Sequence, residues 1–183
     1  VRWVRENGYH TTGSHPCYAW FYNRKNINKN LGFAEYLFSE NYFAERTWND
    51  ITYDAAYFPM LYELYESRDR SVPYFSYNIT YQGHGPYEAD NPYYTEPYVE
   101  NGGWSEASQT ILNNYLNAQA ETTEMLYDFA TQMLATDEPV VLVFFGDHKP
   151  WMGNGDSVYH ELGINIDRST DEGFRNYYST RYL

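Results

Sequence analysis

The sequence predicts an α/β protein, layered α/β/α around a largely parallel sheet. Helix-like and strand-like patterns alternate along the 183 residues, which favours crossover connections between parallel strands. The run 140–145, VVLVFF, is apolar without alternation, as is typical of a strand buried on both faces. The segment 72–81 is rich in tyrosine and phenylalanine, which have high β propensity. The length suits one domain, residues 1–183.

In the first third of the chain, the sequence predicts a helix, a strand, a loop and a second helix. Residues 1–8 suggest a helix that ends at Asn7-Gly8, a common left-handed stop. A short strand and an aromatic loop over residues 15–22 follow. Residues 23–31 look helical, and Gly32 ends that helix.

A third helix is predicted over residues 52–67. Thr52 is the expected N-cap, and Asp54 in the first turn suits the helix dipole. Pro59 lies in the second turn, where proline is tolerated less well than at the start. The positions expected to face the core are Tyr57, Leu61, Leu64 and Tyr65.

The second half predicts a long loop and a long helix between two strands. The strand 72–81 runs into a glycine-proline loop at 82–87 and a polar loop over 88–103. Ser105 is the expected cap of a helix that continues to about residue 136, with apolar positions near 3.6-residue spacing. The strand 140–145 follows.

Composition excludes several classes of protein. The chain has 12 basic and 25 acidic residues and a net charge of −13, which argues against a nucleic-acid partner. Cys17 is the single cysteine, so an internal disulfide framework and a multi-cysteine metal site are excluded. No segment is long and apolar enough to span a membrane. Neither end resembles a natural terminus, and we expect the chain, which stops at Tyr182-Leu183, to be a piece of a longer protein.

Two predicted strands end in a histidine bracketed by glycine or a polar residue: Gly83-His84-Gly85 and Gly146-Asp147-His148. Ligands bind at the carboxyl ends of parallel strands, so both histidines are expected at one edge of the sheet. Aspartate and histidine together can supply an oxygen and a nitrogen to one cation. A capped turn with an exposed histidine is the simpler alternative. His15, Arg24 and Lys149 could add affinity for a phosphate-like anion.

These segments resemble one known family. Residues 144–153, FFGDHKPWMG, look like the metal-binding strand end of the lipoteichoic acid synthases, sulfatase-like members of the alkaline phosphatase superfamily. Residues 8–33 are similar to the family's substrate-pocket segment, and residues 77–87 to its histidine loop. The matches are collinear from residue 8 to about residue 165.

The resemblance implies a role for each matched residue. Asp147 and His148 would ligate a divalent cation, manganese in the best-known members, with magnesium, calcium or zinc as alternatives. His15, Arg24 and His84 would bind the glycerol-phosphate headgroup. Tyr22 stands where the family often has tryptophan and would also contact substrate. The nucleophilic threonine and a further acidic metal ligand are expected N-terminal to this chain, so no nucleophile is assigned here.

The resemblance also implies an activity and a location. The expected reaction is two-step phosphoglycerol transfer, from an anionic glycerophospholipid or polyglycerol-phosphate substrate onto a chain hydroxyl. The expected partner is the remaining N-terminal part of the same domain, and the expected location is the extracellular face of the bacterial cell membrane. One alternative keeps the superfamily but makes the protein a sulfatase or phosphodiester hydrolase. Another, suggested by 22 tyrosines, is a non-catalytic glycan-binding module.

Overall fold

The computed structural model describes residues 1–44 and 52–181, so the chain's last two residues, Tyr182 and Leu183, lie outside the described part. The chain divides into two compact units. The first comprises residues 1–82 and 125–133, and the second comprises residues 83–124 and 134–183. The prediction of a single domain over 1–183 stays a prediction.

The first unit contains a three-stranded parallel sheet, which confirms the predicted fold class. Strands β1 (His10–Ser14), β2 (Glu35–Leu37) and β3 (Tyr74–Asn78) are arranged in the order β2-β1-β3. Thr12 of the central strand lies opposite Glu35 on one side and Ser76 on the other.

The four predicted helices appear in the predicted order with small shifts at their ends, and two short helices after residue 150 were not predicted. Gly32, with φ +94°, closes the second helix as expected of a left-handed C-cap. No helix among residues 1–44 and 52–181 is long and apolar enough to cross a membrane. The helices are α1 (Arg2–Glu6), α2 (Arg24–Leu31), α3 (Asp54–Ser67), α4 (Glu106–Leu134), α5 (Ser157–Glu161) and α6 (Asp171–Tyr178).

Helix α3 builds the core of the first unit. The predicted inward positions are confirmed: Tyr57, Leu61 and Tyr65 are buried, and Leu64 packs against the same cluster. The Tyr57 hydroxyl lies 2.7 Å from Ser14 Oγ, at the carboxyl end of β1. This contact fixes the helix against the strand end from which the chain continues into the candidate site.

The predicted cap of α3 is wrong, whereas that of α4 is confirmed. The N-cap of α3 is Tyr53, and the amide of Asp54 donates to the Gln82 side chain at 2.7 Å. A distant side chain thus satisfies the donor that Thr52 was expected to serve. Ser105 Oγ accepts from the amide of Ser108 at 3.2 Å, as predicted.

Buried asparagines of α4 order the long loop of the second unit. Asn114 Oδ1 accepts from the amide of Tyr93, and Asn113 Oδ1 accepts from the amide of Val99. Both asparagines are fully buried. Backbone groups of a loop need partners when water is excluded, and these amides supply them. The unit's apolar core consists of Tyr87, Ile111, Met152 and Val158.

The predicted buried strand at 140–145 is wrong. Within the described chain this run forms only an isolated bridge at Phe145, and Val141 is 90 % exposed. Periodicity identifies a segment suited to burial, but a strand also needs neighbours for its backbone hydrogen bonds. The run belongs to the second unit, and the sheet β2-β1-β3 belongs to the first.

Candidate active site

His15 follows β1 directly and is held rigidly inside the first unit. Its side chain is 3 % exposed, and its Nδ1 lies 3.2 Å from the carbonyl oxygen of Ile79. A carbonyl only accepts, so this hydrogen bond places the proton on Nδ1 and the lone pair on Nε2. The ring of Tyr81 packs edge-on against the imidazole, with centroids 5.8 Å apart. The sequence did not identify Tyr81 as a site residue, because it belongs to no recognisable motif.

Tyr22 and Arg24 lie in a strained turn that leads into α2. Tyr22 and Asn23 have φ of +51° and +56°, a left-handed conformation uncommon for residues other than glycine. The Arg24 guanidinium carbon lies 5.8 Å from the Tyr22 ring centroid, a cation–π contact. Two consecutive strained residues persist only where surrounding contacts fix them, which is frequent at functional sites.

Arg24 has a hydrogen-bonding capacity that the described residues do not use. Its Nε is buried and has no hydrogen-bond partner among residues 1–44 and 52–181. Buried donors are nearly always satisfied, so an unused one at a partly exposed guanidinium suits an anionic ligand. We call His15, Tyr22 and Arg24 the arginine group.

His84 and His148 come together within the second unit. Their ring centroids lie 5.8 Å apart with the planes nearly perpendicular. His84 sits between Gly83 and Gly85, and a side chain at Gly83 would meet the Gln119 amide at 2.5 Å. The nearest atom is the end of a flexible glutamine side chain, so a small movement of Gln119 would make room for a side chain there. The sequence predicted that these histidines would meet because each follows a strand. They do lie close together, but no strand forms at 140–145.

Asp147 and His148 present two potential metal donors. Asp147 Oδ2 lies 3.7 Å from His148 Nε2, and the side chains are 58 % and 57 % exposed. Two ligands of one ion, at bonds of about 2.0–2.2 Å, lie roughly 3–3.5 Å apart, so a small side-chain rotation suffices. His148 Nδ1 lies 2.8 Å from the Lys149 carbonyl oxygen, which leaves the lone pair on Nε2. We call His84, Asp147 and His148 the aspartate group.

Asp147 and His148 provide only part of the ligand set that a divalent cation needs. In the described ranges no three histidine, cysteine, aspartate or glutamate side chains cluster closely enough to hold a metal ion. Asp147 and His148 are chemically suitable, but a stable site in proteins usually has three or four ligands. Further ligands would have to come from elsewhere.

Cys17 is unsuited to nucleophilic chemistry. It is buried beside the arginine group, and this burial raises the pKa of its thiol despite the opposing effect of Arg24. A neutral thiol is a poor nucleophile, because the thiolate is the reactive form.

Comparison with known proteins identifies the family. A family model described as sulfatase matches residues 1–176. The chain belongs to the sulfatase family. The resemblance predicted from the sequence is confirmed at this level. Enzymes of the wider superfamily generally use a divalent metal.

One curated relative of this sulfatase-family chain has a related sequence. It is a protein named for cyclic β-1,2-glucan modification from Rhizobium meliloti (strain 1021), 31 % identical over 163 residues. The match covers 87 % of the chain and 24 % of the relative. The chain thus spans about a quarter of that protein's length.

Two solved structures share the fold. The Streptococcus pyogenes phosphoglycerol transferase GacH, in complex with sn-glycerol-1-phosphate, is 22 % identical with a TM-score of 0.61. The match covers 85 % of the chain and 40 % of GacH. The lipoteichoic acid synthase LtaP from Listeria monocytogenes is 24 % identical with a TM-score of 0.61, over 80 % of the chain and 36 % of LtaP.

Proposed function

We propose that this chain is part of a metal-dependent phosphoglycerol transferase that acts on a glycerol-phosphate lipid or polymer. The proposal includes an extracellular location at the bacterial membrane and an N-terminal part of the same domain that carries the nucleophile. Membership of the sulfatase family and the fold shared with GacH and LtaP support it.

The observation that carries the proposal is the unused hydrogen-bonding capacity of Arg24. Its buried Nε lacks a partner in the described chain, and its guanidinium is anchored over Tyr22. A planar guanidinium offers two parallel N–H donors, which match two phosphoryl oxygens. His15, held directly after β1 by its hydrogen bond to the Ile79 carbonyl, would support the same headgroup site from within the first unit.

We infer a separate role for the aspartate group of the second unit. A divalent cation at Asp147 and His148 would polarise a phosphoryl oxygen. His84, whose Nδ1 lies 2.6 Å from the Gly85 carbonyl oxygen, holds a fixed ring orientation. With its Nδ1–H donating to that carbonyl, the ring would donate from Nε2 as an imidazolium, giving that proton to the leaving oxygen.

The test is donor cleavage by the whole protein that contains this chain. Diacylglycerol release from phosphatidylglycerol should be measured with and without an acceptor. His84→Asn should lower kcat by about 10²-fold, because a general acid contributes roughly 10²–10⁴-fold. His160→Asn, at another exposed histidine of the second unit, is the matched control and should leave kcat unchanged. No cleavage by the wild type would overturn the proposal.

A second candidate is hydrolysis of a sulfate ester, favoured by the description of the matching family model. Turnover of an aryl sulfate faster than of a glycerophosphate donor would establish it. Cys17 does not support this candidate, because its buried thiol has a raised pKa. A glycan-binding β-sandwich is disfavoured by the parallel sheet and by α4.

A further inference from the structure

Each histidine of the aspartate group is oriented by the carbonyl group of the next residue. His84 Nδ1 and His148 Nδ1 lie 2.6 and 2.8 Å from the carbonyl oxygens that follow them. Both side chains are exposed, so the backbone of the surrounding loops determines much of where the imidazoles lie. We call residues 83–87 and 147–152 the histidine loops.

Tyr87 fixes the first histidine loop from inside the second unit. Its hydroxyl donates to the Gly83 carbonyl, directly before His84, at 2.7 Å. Its ring lies against Gly85, where a side chain would meet it at 3.2 Å. Tyr87 is 8 % exposed, so a buried ring holds the backbone on both sides of His84.

Tyr159 fixes the second histidine loop in a similar way. Its hydroxyl donates to the Pro150 carbonyl, two residues after His148, at 2.8 Å. Tyr159 lies on α5, and the amide of Val158 on the same helix donates to the Met152 carbonyl at 3.2 Å. The loop is therefore attached to α5 at two points.

The two tyrosines share one apolar core. Tyr87 is among its buried members, and Tyr159 packs against it. Burial raises the pKa of Tyr159 to about 12 and also raises the pKa of Tyr87. Both phenols therefore keep their protons at neutral pH and remain hydrogen-bond donors. Two loops that are distant in the sequence are thus anchored to a common support.

Glu161 holds α5 on this support. Its carboxylate accepts from the Ser105 amide at 2.6 Å and from the Ser105 and Ser108 hydroxyls at 2.8 Å each. Both serines lie at the start of α4, which contributes Ile111 to the same core. Helix α5 cannot shift against α4 without breaking these hydrogen bonds.

We propose that Tyr87 and Tyr159 are positioning residues, whose hydroxyl groups set the separation of His84 and His148. The inference rests on the proposed function for its consequence in turnover, and it adds two residues to that site. The imidazole centroids lie 5.8 Å apart. A misplacement of about 1 Å at a reacting group can cost about 10²-fold in rate, so loss of one anchoring hydrogen bond is enough to matter.

The first test removes each hydroxyl and leaves its ring in place. In crystal structures of the whole protein, Tyr87→Phe and Tyr159→Phe should each change the centroid separation of the two histidines by about 0.5–1 Å. Tyr115→Phe is the matched control, because this phenol packs against the same core and its hydroxyl has no hydrogen-bond partner in the described ranges. It should leave the separation unchanged. An unchanged separation in both test variants would overturn the proposal.

The second test distinguishes positioning from a general loss of structure. Tyr159→Phe should weaken Mn²⁺ binding to the whole protein by about tenfold, because contacts that support a ligand typically contribute 10–100-fold to metal affinity. Tyr87→Phe should leave Mn²⁺ affinity unchanged. At saturating Mn²⁺ it should lower kcat for diacylglycerol release by about 10–10²-fold with KM unchanged, because it displaces His84 alone. Equal losses of Mn²⁺ affinity in both variants, with a lower melting temperature, would show a merely structural role and overturn the proposal.

The positioning residues and the transferase fail separately. A changed separation of the histidines, in a protein that does not cleave phosphatidylglycerol, would retain the positioning residues and reject the transferase. Cleavage by the wild type, with an unchanged separation in both variants, would retain the transferase and reject the positioning residues.

Discussion

The arginine group and the aspartate group differ in how fully their own surroundings fix them. His15 is almost completely buried, and Tyr22 and Arg24 are positioned by a strained turn. Asp147 and His148 are more than half exposed, and their contacts are with each other, with adjacent backbone and with the His84 ring. The first group is preorganised within the described chain, whereas the second offers two donors that need further ligands.

This difference indicates which function each group can perform by itself. A preorganised cation can bind an anion without new partners, because its orientation has already been fixed by folding. Two exposed metal donors bind a divalent cation only weakly. We therefore expect anion recognition to depend on Arg24 and metal affinity to depend on residues beyond this pair.

The largest expected effect is that of Arg24→Lys. Lysine keeps the charge but loses the planar fork, so kcat/KM for glycerophosphate donor cleavage by the whole protein should fall by about 10²–10³-fold. Lys25→Arg, the converse change at the next, exposed residue, should have no effect. An Arg24→Lys enzyme with wild-type kcat/KM would show that the arginine group is not an anion site.

The aspartate group is tested next by Asp147→Asn. Loss of an anionic ligand should weaken Mn²⁺ binding to the whole protein by at least about tenfold, measured by calorimetry. Asp137→Asn changes an exposed carboxylate outside the group and controls for net charge. Unchanged Mn²⁺ affinity in Asp147→Asn would remove this residue from the metal site.

The rigidity of the first unit predicts a stability effect at Tyr57. Tyr57→Phe removes a buried hydroxyl bonded to Ser14 and should lower the free energy of unfolding by about 1 kcal/mol. Tyr127→Phe, at an exposed tyrosine, should change it negligibly. Urea unfolding measures both. Equal stabilities would mean that this contact does not fix α3 against β1.

The same unit predicts a loss of stability at alkaline pH. Burial raises the pKa of Tyr36 to about 12. A raised pKa means that the folded state holds the proton more tightly, so this contribution is full below pH 10, the ordinary tyrosine value, and is lost as pH rises through about 12. Tyr36→Phe should flatten this part of the stability–pH curve. An unchanged slope would contradict burial of the phenol.

The smallest effect is expected at Val141 in the second unit. Val141→Lys replaces a side chain that is 90 % exposed, so the stability of a polypeptide of residues 1–183 should change by less than about 0.5 kcal/mol. A loss of several kcal/mol would show that the run 140–145 is packed after all.

Sequence patterns predicted local structure better than they predicted which segments pair as strands. The left-handed stop at Gly32, the cap at Ser105 and the inward face of α3 follow from short-range chemistry, and all three are confirmed. The strand at 140–145 was wrong, because its hydrogen-bonding neighbours are not encoded in the run itself.

The candidate site shows the same limit. Motifs singled out His15, Arg24, His84, Asp147 and His148, but their assembly into one site remains a prediction. Tyr81 against His15 and Glu161 at Ser105 depend on long-range contacts that no local pattern reveals. Such supporting residues become visible only with the fold.

We propose that this chain holds part of a phosphoryl-transfer site whose nucleophile lies elsewhere in the whole protein. The most direct measurement is diacylglycerol release from phosphatidylglycerol with Mn²⁺, by the whole protein and by a polypeptide of residues 1–183. We predict turnover by the whole protein and none by the shorter polypeptide. Robust turnover by residues 1–183 alone would contradict the account.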